Sequence, residues 1–108
     1  MFLFGGPKVN TISAADLQKR LEAGEKPLVI DCREAWEHAE GHIPGSLLKP
    51  LGQIRNWARE LKKEQEMVVY CRTAARSASA VQYLQTQGFT NAWNMGGGII
   101  TWRGNIAR

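Results

Sequence analysis

Three residues within one short stretch have the types and spacing for nucleophilic chemistry: Cys71, Arg72 and Arg76, with Thr73, Ala74 and Ala75 between the arginines. An apolar run, Met67-Val68-Val69-Tyr70, ends at the cysteine, and an amphipathic pattern from Arg76 to Gln87 begins where the second arginine stands. The stretch reads as strand, tight loop, helix. At such a junction the free backbone N–H groups of the first helical turn and the positive end of the helix dipole converge on one point. Here that point is a sulfur. A free thiol has a pKa near ~8.5, and a helix N-terminus with neighbouring arginines lowers it by one to several units, so that the nucleophilic thiolate is substantial at neutral pH. A loop from Cys71 to Arg76 whose N–H groups face inward would also hold an oxyanion or the terminal sulfur of a persulfide. Cys71 is therefore the expected nucleophile, with Arg72, Thr73, Ala74, Ala75 and Arg76 lining the substrate side. The competing reading is a cysteine that merely fills core at a strand's end. Against it stand the two arginines, whose burial beside an inert thiol would stabilise nothing.

Positioning such a loop requires a framework. A short strand is expected at Val9–Ile12, then a helix from an N-cap at Ser13, with Asp16 three positions on and Leu17 and Leu21 on one face, to about Ala23. Gly24 and Pro27 stop it. Leu28-Val29-Ile30 is an unbroken apolar run, the mark of a strand covered on both faces in a parallel sheet. Glu34 to Glu40 suits a short helix carrying Trp36, Gly41-His42-Ile43-Pro44-Gly45 a turn, and Ser46-Leu47-Leu48 a third strand. Leu51, Ile54, Trp57, Ala58 and Leu61 are spaced as one apolar face of a helix running from Leu51 to Glu64. Its other face carries Arg55, Arg59, Lys62 and Lys63. Met67–Tyr70 is the fourth strand, Gly88 closes the helix after the loop, Phe89–Met95 returns as a fifth strand, and Ile99, Ile100 and Trp102 start a last helix. Strands and helices alternate, so the fold class is α/β: a three-layer domain with a central, mostly parallel five-stranded sheet flanked by helices. The chain divides into a tail at residues 1–8 and one domain at 9–108.

Composition excludes several classes. A chain of 108 residues, 44% hydrophobic and 22% charged, makes one ordinary globular core. The net charge of +4 comes from scattered lysines and arginines with no nucleic-acid motif, which favours a small anionic ligand over nucleic acid. Cys32 and Cys71 match no zinc-ligand spacing, so neither a metal nor another cofactor is expected. A structural disulfide would silence the cysteine that the loop activates, which points to a reducing, cytoplasmic compartment. The segment Met1–Pro7 has neither a basic leader region nor a cleavage pattern and is expected to be a tail, with no membrane partner. The chain is expected to be a monomer or weak homodimer.

The remaining chemistry-bearing residues are weighed singly. Ligands of open parallel sheets bind beyond the carboxyl ends of the strands, so Asp31 and Arg33 should share a rim with Cys71. Of support for the Cys71 loop and a structural ion pair, the ion pair is the simpler account. Alternation sends Cys32 away from both neighbours, into packing; a resolving thiol for Cys71 is the alternative. His42 has no nucleophile beside it in sequence and reads as structural, and His38, between Glu37 and Glu40, as a solvated helix face. Gly96-Gly97-Gly98 lacks the trailing Lys-Ser/Thr of a nucleotide loop and would instead let backbone pass close to the Cys71 loop.

Three stretches together resemble the rhodanese family of single-domain sulfurtransferases: the Cys71–Arg76 loop; Asp31-Cys32-Arg33-Glu34 followed by Glu37 and Gly41-His42-Ile43-Pro44-Gly45-Ser46; and Asn94-Met95-Gly96-Gly97-Gly98 with Trp102. They span Val9 to Gly104. The resemblance implies the same three-layer fold, and an activity in which Cys71 takes sulfane sulfur from thiosulfate or a related donor and passes it, as a persulfide, to cyanide, a thiol or a protein acceptor. It implies that a basic residue directly after the cysteine, here Arg72, favours thiosulfate, and that the family's matching histidine serves the fold. Many relatives have glycine where Ala74 stands; if the position needs a positive φ, alanine costs about 1 kcal/mol or reshapes the loop. Two other functions share features of this loop. One is a sulfur-carrying or protein-binding module with little activity of its own. The other is a cysteine-dependent phosphatase or arsenate reductase, whose loops need five residues between cysteine and arginine where Cys71 and Arg76 enclose four, a ring narrower by a few ångströms at ~3.5 Å per residue.

Overall fold

A computed structural model of the chain describes residues 8–108, so nearly all of the tail assigned to residues 1–8 lies outside the described part. Five strands, β1 (Thr11–Ser13), β2 (Leu28–Asp31), β3 (Leu47–Leu48), β4 (Met67–Tyr70) and β5 (Ala92–Gly96), form one sheet in the order β1-β5-β4-β2-β3. Every pairing is parallel. Four α-helices, α1 (Ala14–Glu22), α2 (Ala35–Glu40), α3 (Ile54–Ala58) and α4 (Ala75–Thr86), connect them.

The apolar run of β4 is explained by its place: between β5 and β2, with Met67, Val68, Val69 and Tyr70 all 0% exposed. Burying side chains of this size contributes about 1.5–3 kcal/mol each. Because successive residues of a strand point to opposite faces, β4 serves two cores. Met67, Val69 and Cys71 pack with Ile30 and Cys32 against Ile54, Trp57 and Ala58 of α3 and Ala80, Val81 and Leu84 of α4. Val68 and Tyr70 pack with Val29, Ile43 and Met95 against Ala14 and Leu17 of α1. These are the three layers expected.

Ser13 caps α1 as its sequence predicts, its Oγ accepting from the Asp16 amide at 3.0 Å. Gly88, at φ +91, ends α4. The chain then starts β5 at Ala92, because the Phe89 amide donates to the Leu84 carbonyl and its ring fills core.

Two expected helices are shorter than their patterns suggest. Leu51–Glu64 becomes a 3₁₀ turn (Leu51–Gln53) followed by α3, which stops at Ala58. The spacing located the buried residues correctly, but beyond Leu61 the run Lys62–Glu66 has no apolar residue to bury, and helices in proteins persist mainly through packing. The segment starting at Ile99 is likewise a single 3₁₀ turn, Ile99–Thr101, after which Trp102 turns extended.

Candidate active site

β2 and β4 run in register, Asp31 beside Tyr70, so the loops that follow them leave the same rim. Past β4 the chain curls around Cys71. The Cys71 Sγ accepts from the Ala74 amide at 3.1 Å and from the Ser77 amide at 3.4 Å, with the Ser77 hydroxyl also at 3.4 Å. Ser77 Oγ has one proton and a nearer acceptor, Asn94 Oδ1 at 2.5 Å, so the amides are the constant donors.

The curl depends on Ala74, whose φ of +89° makes it the one non-glycine residue with positive φ among the described residues. An L-residue pays roughly 1–2 kcal/mol for that conformation, so the surroundings must hold it. They do so by backbone. The Ile99 amide donates to the Cys71 carbonyl at 2.9 Å and the Ile100 amide to the Arg72 carbonyl at 3.3 Å. Gly98 is required for this approach: a Cβ there would lie 2.1 Å from the Arg72 oxygen. The glycine triplet thus does what its sequence suggested.

The Cys71 thiol is brought down to about 4. The largest cause is a hydrogen bond from the Cys32 thiol; burial opposes it, and the Ser77 hydroxyl and loop amides reinforce it. Cys32 is raised correspondingly, first because its proton is held against the Cys71 sulfur and then by burial. Cys32 packs in the core beneath α3 and α4 as alternation indicates, in the same cluster as Cys71.

The loop's arginines differ. Arg72 is exposed and, among the described residues, is in no ion pair; it borders a cleft of about 350 Å³ lined also by Arg33, Trp36, Ile99 and Ile100. Thr73 and Ala75 are exposed beside it. Arg76 is turned onto Glu37, its Nη1 and Nη2 donating to the two carboxylate oxygens at 2.7 and 2.9 Å. That bidentate pair holds the Glu37 carboxyl down at about 2. Glu37 also accepts from the Glu34 amide at 3.0 Å, so the N-terminus of α2 is capped by the carboxylate that fixes Arg76. Glu37 and Ser77 were missed as site residues by sequence reasoning. Ser77 could have been found, since the third residue of a helix has a free amide; Glu37 carried no such signal.

On the other face of the same strands lies a second polar cluster. Asp31, 0% exposed, accepts from Arg33 Nε at 2.9 Å and Nη2 at 2.8 Å, and from the Tyr70 hydroxyl at 3.2 Å. Burial alone would raise its carboxyl; hydrogen bonds from Arg33 and then His38 more than offset this and hold it below the ordinary range. The structural ion pair is therefore present. His38 is not the solvated residue its flanking glutamates suggested: its Nδ1 is 2.9 Å from Asp31 Oδ2 and its ring stacks on His42 at 3.6 Å. Asp31, seven residues back at the end of β2, supplies a partner that α2 alone does not. His42 Nδ1 lies 2.8 Å from the His38 carbonyl, away from Cys71, in a structural place.

Among the described residues no group of His, Cys, Asp or Glu could hold a metal ion, and no helix is long and apolar enough to cross a membrane. The model of the rhodanese-like domain matches residues 13–105. A sulfurtransferase of Allochromatium vinosum is 40% identical over 94 residues, covering 87% of this chain and 88% of the relative. The putative sulfurtransferase YtwF of Bacillus subtilis is 38% identical over 97 residues, covering 90% and 93%. The crystal structure of a rhodanese-related protein from Thermoplasma volcanium superposes with a TM-score of 0.81 at 31% identity, covering 91% of this chain and 97% of that one. The all-parallel sheet, the cysteine-centred loop and these likenesses agree: the chain belongs to the rhodanese-like domain family.

Proposed function

We propose that this chain is a sulfurtransferase working through a Cys71 persulfide, with thiosulfate as donor and a thiol or protein as acceptor. The observation that carries it is the loop geometry: the Cys71 sulfur accepts from two inward amides, which help bring it down to about 4, and Arg72, in no ion pair among the described residues, follows it directly. The Cys71 thiolate attacks the outer sulfur of thiosulfate. The S–S bond of the donor breaks, sulfite leaves with its electron pair, and Cys71 becomes a persulfide whose terminal sulfur carries the negative charge. The loop amides that donate to the Cys71 sulfur lie close enough to stabilise that charge. Arg72 meets the sulfonate oxygens, for which a guanidinium is geometrically suited. An acceptor thiolate, or cyanide in an assay, then removes the outer sulfur, so the kinetics are ping-pong. Arg76 acts through position, since Glu37 takes both of its Nη donors.

Exposed Trp36, Ile100 and Ile106 border the same cleft as Arg72 and Arg108, which favours a protein among the acceptors. The reactive thiol suits the reducing cytoplasm. A phosphatase reading is weaker, because Asp31 and Glu37 are tied to Arg33 and Arg76 rather than free as proton donors.

The test is intact mass after incubation with thiosulfate and then cyanide. Wild type should gain about 32 Da and lose it as thiocyanate, and Cys71→Ser should show neither. Cyanide-labile sulfur on Cys71→Ser, or none on wild type, overturns the assignment.

A further inference from the structure

Among the described residues, Cys32 is the one buried thiol that the transfer cycle does not use. Its place is fixed by the sheet. β2 and β4 are paired through Asp31 and Tyr70, and the Cys32 amide donates to the Tyr70 carbonyl at 3.0 Å, so the pairing continues one residue further and sets Cys32 beside Cys71. Neighbouring strands lie about 4.8 Å apart, within the roughly 4.4–6.8 Å between Cα atoms that a disulfide spans. Both side chains point to the same face, both are 1% exposed, and they share one apolar cluster. Each thiol shifts the other, Cys71 down and Cys32 up. No solvent-borne acceptor reaches Cys71 from that side.

We propose that Cys32 resolves the Cys71 persulfide, giving the protein a second activity: release of hydrosulfide from the sulfane sulfur it has loaded. This rests on the persulfide route above. The Cys32 sulfur attacks Cys71 Sγ, a Cys32–Cys71 bond forms, the bond from Cys71 Sγ to the outer sulfur breaks, and that sulfur departs as hydrosulfide with the Cys32 proton. The two cysteines are oxidised together by two electrons and the sulfane sulfur is reduced to sulfide. A dithiol reductant then reopens the disulfide. The sum is thiosulfate plus dithiol giving sulfite, hydrogen sulfide and the reductant's disulfide.

Loading itself prepares the step. In the resting protein the negative charge on Cys71 Sγ holds the Cys32 proton in place. Once Cys71 carries a second sulfur, the charge moves to the outer atom, under the loop amides. Cys32 then faces a neutral, electrophilic sulfur. An external acceptor and Cys32 compete for the same intermediate, so the protein transfers sulfur when an acceptor is docked and releases sulfide when none is.

The experiment loads wild type, Cys32→Ser and Cys32→Ala with thiosulfate and, in parallel, with inorganic polysulfide, removes the donor, and follows intact mass and free sulfide without reductant. The serine variant keeps a donor to Cys71 but cannot form the disulfide. Wild type should pass from about +32 Da to about −2 Da relative to the reduced chain, releasing one sulfide per chain at a rate independent of protein concentration. Both variants should hold +32 Da for at least about tenfold longer. A wild-type persulfide as long-lived as that of Cys32→Ser, or sulfide release that scales with protein concentration, overturns the inference alone. Failure of every form to take up sulfur from either donor overturns the persulfide route and this step with it.

Discussion

The two faces of the β2–β4 rim carry two polar clusters built from alternate residues of the same strands. On one face Asp31 and Tyr70 meet Arg33, His38 and Ser46; on the other Cys32 and Cys71 meet the loop amides and Ser77. Both bury an anion. In the first, the Asp31 carboxylate is surrounded by side chains that close on one another, and Arg33 also reaches the Gly41 carbonyl at 2.7 Å, tying α2 and the turn after it to the sheet. In the second, the anion is a buried sulfur whose donors include two backbone amides, and Arg72, the residue after it, borders a cleft and is in no ion pair among the described residues. A buried charge that is fully paired has nothing left to react with, whereas a thiolate held by backbone amides rather than by a paired cation keeps a lone pair for reaction. That asymmetry separates structure from chemistry here.

The largest effect that would sharpen this comparison is on the closed cluster. Asp31→Asn leaves Arg33 buried without its partner, and breaking one side of such a pair costs about 3–5 kcal/mol. That is a large share of the roughly 5–15 kcal/mol of a domain this size. Urea denaturation should show the loss, while a variant as stable as wild type would mean the cluster is less committed to the fold than its geometry implies.

Next comes pH. Alkylation of Cys71 by iodoacetamide should be nearly flat from about pH 8 down to about pH 5, whereas an ordinary thiol would already slow tenfold per unit below ~8.5. It should fall tenfold per unit only below about 4. The sign for stability follows: because the folded pKa is depressed from 9.0, this thiolate's contribution is fully present above about 9 and lost as pH falls toward about 4. A midpoint near 8 would show that the loop donors and Cys32 do not stabilise the anion.

A smaller effect tests the open side. Arg72→Ala should lower kcat/KM for thiosulfate about tenfold, the order of one charge-assisted hydrogen bond near solvent, and leave loading from polysulfide unchanged. Equal losses with both donors would make Arg72 a loop-shaping residue instead. The smallest effect is expected of Ala74→Gly, which relieves a φ of +89° and should raise the unfolding free energy by about 0.5–1 kcal/mol after the glycine's greater unfolded entropy is counted. A lower denaturation midpoint would show that the neighbouring backbone holds the loop without strain at Ala74.

Much of this was legible before the fold was known. The unbroken apolar runs of β2 (Leu28–Ile30) and β4, the Ser13 cap and the Gly88 stop follow from local rules of burial and backbone geometry, as does the strand–loop–helix reading around Cys71. Where local pattern exceeded the fold, as in Leu51–Glu64, the spacing identified the buried face while the length depended on how far the sheet extended to receive it. His38 was misplaced because its flanking glutamates suggest solvent, and its partner, Asp31, lies seven residues back on a different element.

Residue type and spacing by themselves determined the cysteine-centred loop, the elements on either side of it, the parallel character of the sheet and the need for glycine where Gly98 passes the loop. These depend on properties of the chain within a few residues: side-chain periodicity, φ preference and the free amides of a helix start. Only the tertiary structure decided that Arg76 belongs to Glu37 while Arg72 stays free, that Asp31 and His38 share one closed cluster, and that Cys32 lies against Cys71. Each of those is a pairing between different elements: Asp31 meets His38 where α2 folds back on β2, and Cys32 meets Cys71 through the register β2 adopts on β4, which is a property of the assembled sheet.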